Sequence, residues 1–155
     1  MTGMRIAGHP VHPILVGIPI GLCTFSVLAD LIRIAGWGKP VWFEVALYAM
    51  AGGIAGALLA AVPGFVDYLT ITDTRVRDIA FAHMVAAVFV VAIFGSSLWL
   101  RWGGDHGIFP VVISVLGLSL LGVVGWLGGE MVFVHGMGMD ASAARPGSRS
   151  RRKAA

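Results

Sequence analysis

The sequence predicts an all-α protein, an integral membrane four-helix bundle with both termini cytoplasmic. Two observations carry this prediction. Of the 155 residues, 57% are hydrophobic and only 12% are charged, and four apolar runs are long enough to cross a bilayer. A soluble domain has about 25% charged residues and buries only about two-thirds of its chain surface, so it could not hide this much apolar surface. Composition therefore excludes a soluble enzyme, a disordered protein and a nucleic-acid-binding module.

The predicted spans have the length that a bilayer requires, about 20 residues for a hydrocarbon core about 30 Å thick. Turn-forming Gly, Pro and Asp residues separate them. Pro19 falls inside the first span, where its missing N–H is expected to kink the helix. The four-helix domain comprises residues 1–139, and the basic tail of residues 140–155 has a composition that predicts disorder. The spans cover about residues 14–34, 41–62, 79–100 and 108–134.

The basic residues are distributed unequally between the two sides of these spans. Eight of the eleven Lys and Arg residues lie on the side of the termini, and three, Arg33, Lys39 and Arg101, lie on the other side. Cytoplasmic segments of membrane proteins carry an excess of Lys and Arg. This distribution therefore predicts cytoplasmic termini and a multi-pass protein of the inner (cytoplasmic) membrane.

Four of the five histidines fall at the cytoplasmic ends of the predicted spans. His9 and His12 precede the first span, His83 lies about one turn into the third, and His135 closes the fourth. Polar groups within spans usually face the bundle interior, and imidazole is both the commonest metal ligand and an axial ligand of haem. One interpretation is a haem b or metal site, with His83 and His135 as axial ligands and His12 as the next candidate. The other is that these imidazoles meet water and lipid headgroups.

Two carboxylates lie at the same end. Asp67 follows the second span, and Glu130 lies inside the fourth, five residues before His135 and about 140° away from it on an α-helix. Glu130 either handles protons beside a cofactor or fixes the bundle through an interhelical hydrogen bond. The predicted cofactor-binding residues are His12, His83, Glu130 and His135, and a metal ion in place of haem would use His9, His12, His83 and Asp67.

At the opposite end the polar residues have a structural interpretation. Asp30 and Arg33 are spaced i, i+3 and are predicted to pair, with Glu44 near them. Small-xxx-small glycine pairs within the spans predict close helix packing. No Ser-His-Asp order, phosphate-binding glycine loop or zinc-protease motif occurs, so we expect no catalytic activity of the chain itself. The glycine pairs are Gly17 with Gly21, Gly52 with Gly56, and Gly125 with Gly129.

Four segments of the chain resemble a known family. They are residues 8–13 (GHPVHP), 64–68 (GFVDY), 82–83 (AH) and 125–136 (GWLGGEMVFVHG). Together they resemble the prokaryotic membrane proteins grouped as domain of unknown function 2231, over about residues 8–140. The resemblance implies a four-helix membrane protein, and the Rieske-type domains joined to some relatives hint at electron transfer. A Rieske centre needs two Cys and two His, so this chain, with its single Cys23, would require a separate redox protein.

Three functions remain open at this point. The first is a haem b or metal-binding subunit for membrane electron transfer. The second is a non-catalytic structural or assembly subunit. The third is a small transporter or proton pathway that uses Asp67, Glu130 and the histidines. In each case the partners are the lipid bilayer and other membrane subunits or a second copy of the chain, and nucleic acid is not among them.

Overall fold

The computed structural model describes residues 3–37 and 40–138, so Lys39 and the basic tail lie outside the described residues. The predicted membrane fold is confirmed. Four helical segments are long and apolar enough to cross a bilayer, and they are Val11–Ile34, Val41–Leu69, Thr74–Trp102 and Phe109–Val134. The assignment of the termini to the cytoplasm remains a prediction from the distribution of charge.

The first segment consists of two helices, α1 (Val11–Leu15) and α2 (Gly17–Ile34), with an interruption at Val16. Pro19 accounts for the interruption, because it has no N–H to donate to the carbonyl of Leu15, four residues earlier. Helix α1 contains His12, although the sequence analysis placed this residue before the first span. Pro13 is compatible with the first turn, since N–H groups there have no partner within the helix.

The remaining helices are α3 (Val41–Leu69), α4 (Thr74–Trp102) and α5 (Phe109–Gly129). Asp73 caps α4, with its side chain accepting a hydrogen bond from the Val76 N–H at 3.0 Å. A π-helical turn, Glu130–Val134, continues α5. Helix α3 continues through Pro63 to Leu69 and so places Asp67 in its last turn.

The bundle is built from two antiparallel helical hairpins. Helix α2 packs along α3, and α4 packs along α5, while fewer contacts join α3 to α4 and α2 to α5. Glycines allow the close approach within the first hairpin, since a Cβ added at Gly56 would lie 2.6 Å from the Ile18 side chain. The central core is apolar and consists of Cys23, Val27, Met50, Val90, Phe94 and Val124.

This arrangement gives the bundle two ends with different polar residues. His12 and His83 mark the histidine end, and Asp30 and Arg101 mark the arginine end. Each histidine precedes its acidic or basic counterpart by 18 residues, which is five turns of α-helix and about 27 Å. The two ends are therefore separated by about the thickness of a bilayer core.

A short segment, residues 3–10, crosses the histidine end and is called the strap below. It contains two antiparallel strands, β1 (Arg5–Ile6) and β2 (His9–Pro10). The turn between them uses Gly8 in the left-handed region, at φ 82°. The Met4 N–H donates to Asp67 Oδ1 at 2.8 Å, so the strap is fastened to the end of α3 immediately before the chain enters α1.

Candidate functional site

The histidine end contains a pair of imidazoles in contact with one another. His12, from α1, and His83, from α4, have ring centroids 6.3 Å apart and ring planes at 87°. Both side chains are partly buried. They come from different hairpins, so the pair forms only when the two hairpins pack together.

Each imidazole is held by a backbone carbonyl of its own hairpin. His12 Nδ1 lies 2.8 Å from the Ala60 carbonyl oxygen, and His83 Nδ1 lies 3.0 Å from that of Val124. A carbonyl oxygen can only accept, so each Nδ1 carries the proton and donates. The neutral ring then presents an unprotonated Nε2, and no described residue forms a hydrogen bond with either Nε2.

Glycines let these rings lie directly against the helix backbone. A Cβ added at Gly64 would lie 2.8 Å from both Nδ1 and Cε1 of His12. A Cβ added at Gly128 would lie 3.4 Å from Cε1 of His83. In both cases the glycine follows the accepting carbonyl by four residues, one helical turn, so carbonyl and glycine form one seat for the ring.

The separation of the two rings matches that of two ligands of one metal. An imidazole nitrogen bonds a metal at about 2.0–2.1 Å, so two rings that ligate it from opposite sides have centres about 6 Å apart. The hydrogen bond from Nδ1 to a carbonyl is also the arrangement that fixes the orientation of metal-ligating histidines. His12 and His83 therefore have the donor atoms and the Nδ1 supports that are typical of metal-ligating histidines.

The other predicted ligands occupy different surroundings. His135 follows the π-helical turn, and its Nε2 is buried without a hydrogen-bond partner among the described residues. The backbone N–H of His135 donates to the Glu130 carbonyl oxygen at 3.2 Å, a hydrogen bond that joins residues five positions apart. The expected separation of about 140° between Glu130 and His135 is therefore wrong, because that value assumed α-helical geometry and the turn is π-helical.

The remaining candidates, His9 and Asp67, belong to the strap and its attachment. His9 is exposed, with its Nδ1 3.1 Å from the Ala7 carbonyl oxygen, and Asp67 accepts from the strap. Within residues 3–37 and 40–138, no group of three or more His, Cys, Asp or Glu side chains could hold a metal ion. Of the predicted ligands, the structure brings His12 and His83 together and does not assemble either four-residue set.

The arginine end contains a buried ion pair that the sequence analysis missed. Arg101 donates from both terminal nitrogens to Asp30, at 2.9 and 2.6 Å, and both residues are at most 2% exposed. The Arg101 Nε also donates to Ser97 Oγ at 3.2 Å. Arg33, the predicted partner of Asp30, is 3.9 Å away and forms the weaker contact. Asp30 follows His12 by 18 residues, and Arg101 follows His83 by 18 residues. If the two histidines lie side by side, this equal spacing indicates that Asp30 and Arg101 also lie side by side.

His106 also lies at this end, in agreement with its position outside the group of four histidines. Its ring stacks on Phe43, with centroids 4.1 Å apart, and its carbonyl accepts from Arg33 at 3.0 Å. Asp30 and Arg101 are bonded to each other here, whereas Arg33 Nε is buried without a hydrogen-bond partner among the described residues. His12, His83 and His135 each leave a ring Nε2 without such a partner among the described residues, and all three lie at the histidine end, which is therefore the candidate binding site.

The four segments that carry the family resemblance all contribute to the histidine end. Helix α1 supplies His12, the end of α3 supplies its glycine seat, α4 supplies His83, and the end of α5 supplies the second seat. No curated protein and no solved structure matches the chain. The family model described as "Predicted membrane protein (DUF2231)" matches residues 8–141. The chain belongs to this family of predicted membrane proteins.

Proposed function

We propose that the protein binds a metal-centred cofactor between His12 and His83, with haem b as the first candidate, and serves as a non-catalytic electron-transfer subunit in the membrane. One observation carries this proposal: two neighbouring imidazoles from different hairpins, each fixed through Nδ1 and each with an Nε2 that no described residue bonds. His83 was already a predicted axial ligand. His12 takes the place of His135 beside it, because His12 is the imidazole that His83 contacts.

The surroundings of the pair support this function. Ligand sites in helical bundles are formed by side chains from facing helices, as here. The carbonyls of Ala60 and Val124 orient the rings and increase the basicity of each Nε2. A haem iron held there would supply one-electron transfer. The residues of the chain would hold the iron and limit its contact with water.

A reduced-minus-oxidised visible spectrum of the purified protein tests the proposal. We expect haem b bands in the unaltered protein and their loss in His12→Ala and in His83→Ala. His9→Ala is the matched control, because His9 lies at the same end but is exposed in the strap, and it should keep the spectrum. Absence of a haem signal, together with no transition metal by elemental analysis, would contradict the proposal.

A second candidate, a structural or assembly subunit, is favoured by one observation. A Cβ added at Gly17, Gly21 or Gly125 meets nothing within 4 Å, so these glycines are free to pack against another helix. For this candidate, Gly125→Leu should abolish association with a partner subunit, measured by cross-linking in membranes. Gly95→Leu is the control at another open position. His12→Ala and His83→Ala should then behave as the unaltered protein does.

A further inference from the structure

We infer that the chain consists of two copies of one helical hairpin related by a two-fold axis along the bundle, and that the imidazole pair and the buried ion pair are where equivalent positions meet at that axis. The first copy is α1 to α3, and the second is α4 and α5. Three kinds of contact recur in both copies at constant spacings. The first segment of each copy is α1 with α2 in one and α4 in the other, and equivalent residues there are 71 positions apart. The second segment is α3 in one and α5 in the other, and equivalent residues there are 64 positions apart.

The first recurring contact is the seat of the imidazole. His12 bonds to the Ala60 carbonyl, and His83 bonds to the Val124 carbonyl. The histidines differ by 71 positions and the carbonyls by 64. The glycines that complete the two seats also differ by 64 positions.

The second recurring contact is a buried serine that bonds to the neighbouring helix. Ser26 Oγ donates to the Ala46 carbonyl oxygen at 2.7 Å. Ser97 Oγ donates to the Pro110 carbonyl oxygen, also at 2.7 Å. The serines are again 71 positions apart, and the acceptors are 64 apart. Both serines are fully buried.

The third recurring contact is a glycine with a side chain of the neighbouring helix directly against it. A Cβ added at Gly53 would lie 2.5 Å from Cys23 Sγ. A Cβ added at Gly117 would lie 2.9 Å from the Phe94 ring. Cys23 and Phe94 are 71 positions apart, and the glycines are 64 apart. The side chain that faces each glycine differs, but its position in the hairpin does not.

The 71-residue offset also relates the residues of one copy to those that they contact in the other copy. His12 corresponds to His83, and Asp30 corresponds to Arg101, each 71 positions on. Equivalent residues face each other only at a two-fold axis. In a dimer of identical hairpins the residue at the position of Asp30 would face a copy of itself. Two aspartates or two arginines would then lie side by side and repel each other. A chain that contains both copies can place Asp opposite Arg, as this one does.

This symmetry specifies what the imidazole pair can bind, an argument that rests on the proposed function. Identical ligands in equivalent seats approach the axis from opposite sides. The occupant is then a single metal centre per chain that accepts two equal imidazole ligands. A ligand recognised from one side only would not fit such a pair.

The repeat is tested by exchanging Asp30 with Arg101 and by placing a serine at the position equivalent to Ser114. Ser114 Oγ lies 3.4 Å from Arg101 Nη2, and the position equivalent to Ser114, 64 residues earlier, is the fully buried Met50. In a D30R/R101D protein the arginine would lie in the first copy, beside Ser26 and Met50. We expect M50S to lower the Tm of the unaltered protein and to raise that of D30R/R101D, both measured in detergent. A decrease of similar size in both backgrounds would overturn the repeat.

A second exchange tests the repeat even if the charge-reversed protein does not fold. Cys23 and Phe94 belong to the same core cluster and occupy equivalent positions. C23F alone overpacks the core and F94C alone leaves a cavity, so each should lower the Tm. The double exchange C23F/F94C should recover most of the loss, whereas additive losses would contradict the repeat. Both tests measure folding, so absence of a cofactor spectrum would overturn the proposed function and leave the repeat standing.

Discussion

The first and third membrane-spanning segments meet through a pair of polar residues at each end of the bundle, and the two pairs are bonded differently. At the arginine end, Asp30 and Arg101 are almost fully buried and bonded to each other through two hydrogen bonds. At the histidine end, His12 and His83 are partly buried and bonded to their own hairpins, not to each other. The first end pairs its buried charges, while the second leaves the Nε2 atoms of His12 and His83 without a hydrogen-bond partner among the described residues.

This difference separates a structural site from the proposed binding site. A buried ion pair is worth little relative to apolar residues, but removing one partner leaves an uncompensated charge. The imidazoles are each held by a single hydrogen bond, worth about 1 kcal/mol. Substitutions at the arginine end should therefore act on folding, and those at the histidine end should act on binding.

The largest effect is expected from Arg101→Leu. It leaves the Asp30 carboxylate buried without its partner and should destabilise the protein by about 3–5 kcal/mol. Thermal unfolding in detergent, followed by size-exclusion chromatography, would show the loss. Arg33→Leu is the matched control, because its 3.9 Å contact with Asp30 is longer and its side chain is 23% exposed, so its effect should be below about 1 kcal/mol. Equal effects of the two substitutions would contradict the assignment of the ion pair.

Removal of either imidazole should have the reverse pattern. We expect His12→Ala and His83→Ala to abolish cofactor binding to a similar extent and to cost only about 1–2 kcal/mol of folding free energy in the cofactor-free protein. Titration with haem, followed by absorbance, measures the first, and thermal unfolding measures the second. A variant that kept full affinity while losing most of its stability would assign that histidine to the fold.

The glycine seats should have a smaller, graded effect on binding. Gly64→Ala brings a Cβ to 2.8 Å from the His12 ring, so the ring must move, whereas Gly128→Ala brings one only to 3.4 Å from His83. Changes in groups that support metal ligands cost about 10–100-fold in affinity. We expect Gly64→Ala to fall in this range and Gly128→Ala to lose less, as measured by the same titration. The opposite order would show that the His12 seat does not control binding.

The smallest effect concerns the strap. Asp67→Ala removes the acceptor of the Met4 N–H and should loosen residues 3–10, at a local cost of about 1 kcal/mol. Hydrogen exchange of the Arg5 and Ile6 amides should become faster. Asp105→Ala is the control at the arginine end, where Asp105 accepts from the Gly107 N–H, and it should leave strap exchange unchanged. Unchanged exchange in Asp67→Ala would mean that other contacts hold the strap.

Particular residues show how far the sequence could lead. The spacing of apolar runs predicted four helices, and the positions of the histidines predicted a polar group at one end. His83 was identified as a ligand candidate because it lies in a span. His12 was ranked below His135, but the structure places it in a helix that begins at Val11, next to His83. Asp30 was assigned to Arg33 because local spacing favours i, i+3 pairs, while its stronger partner is 71 residues away.

The sequence by itself determined that this protein spans a membrane and that most of its histidines lie at one end of the bundle. Both features follow from local properties of the chain, the length of its apolar runs and the positions of its polar residues within them. Only the tertiary structure decided which of those histidines face each other and which charge neutralises Asp30. Those contacts depend on how two hairpins pack across an axis. The internal repeat was not evident in the sequence for the same reason, because its equivalent positions are identified by the contacts they make.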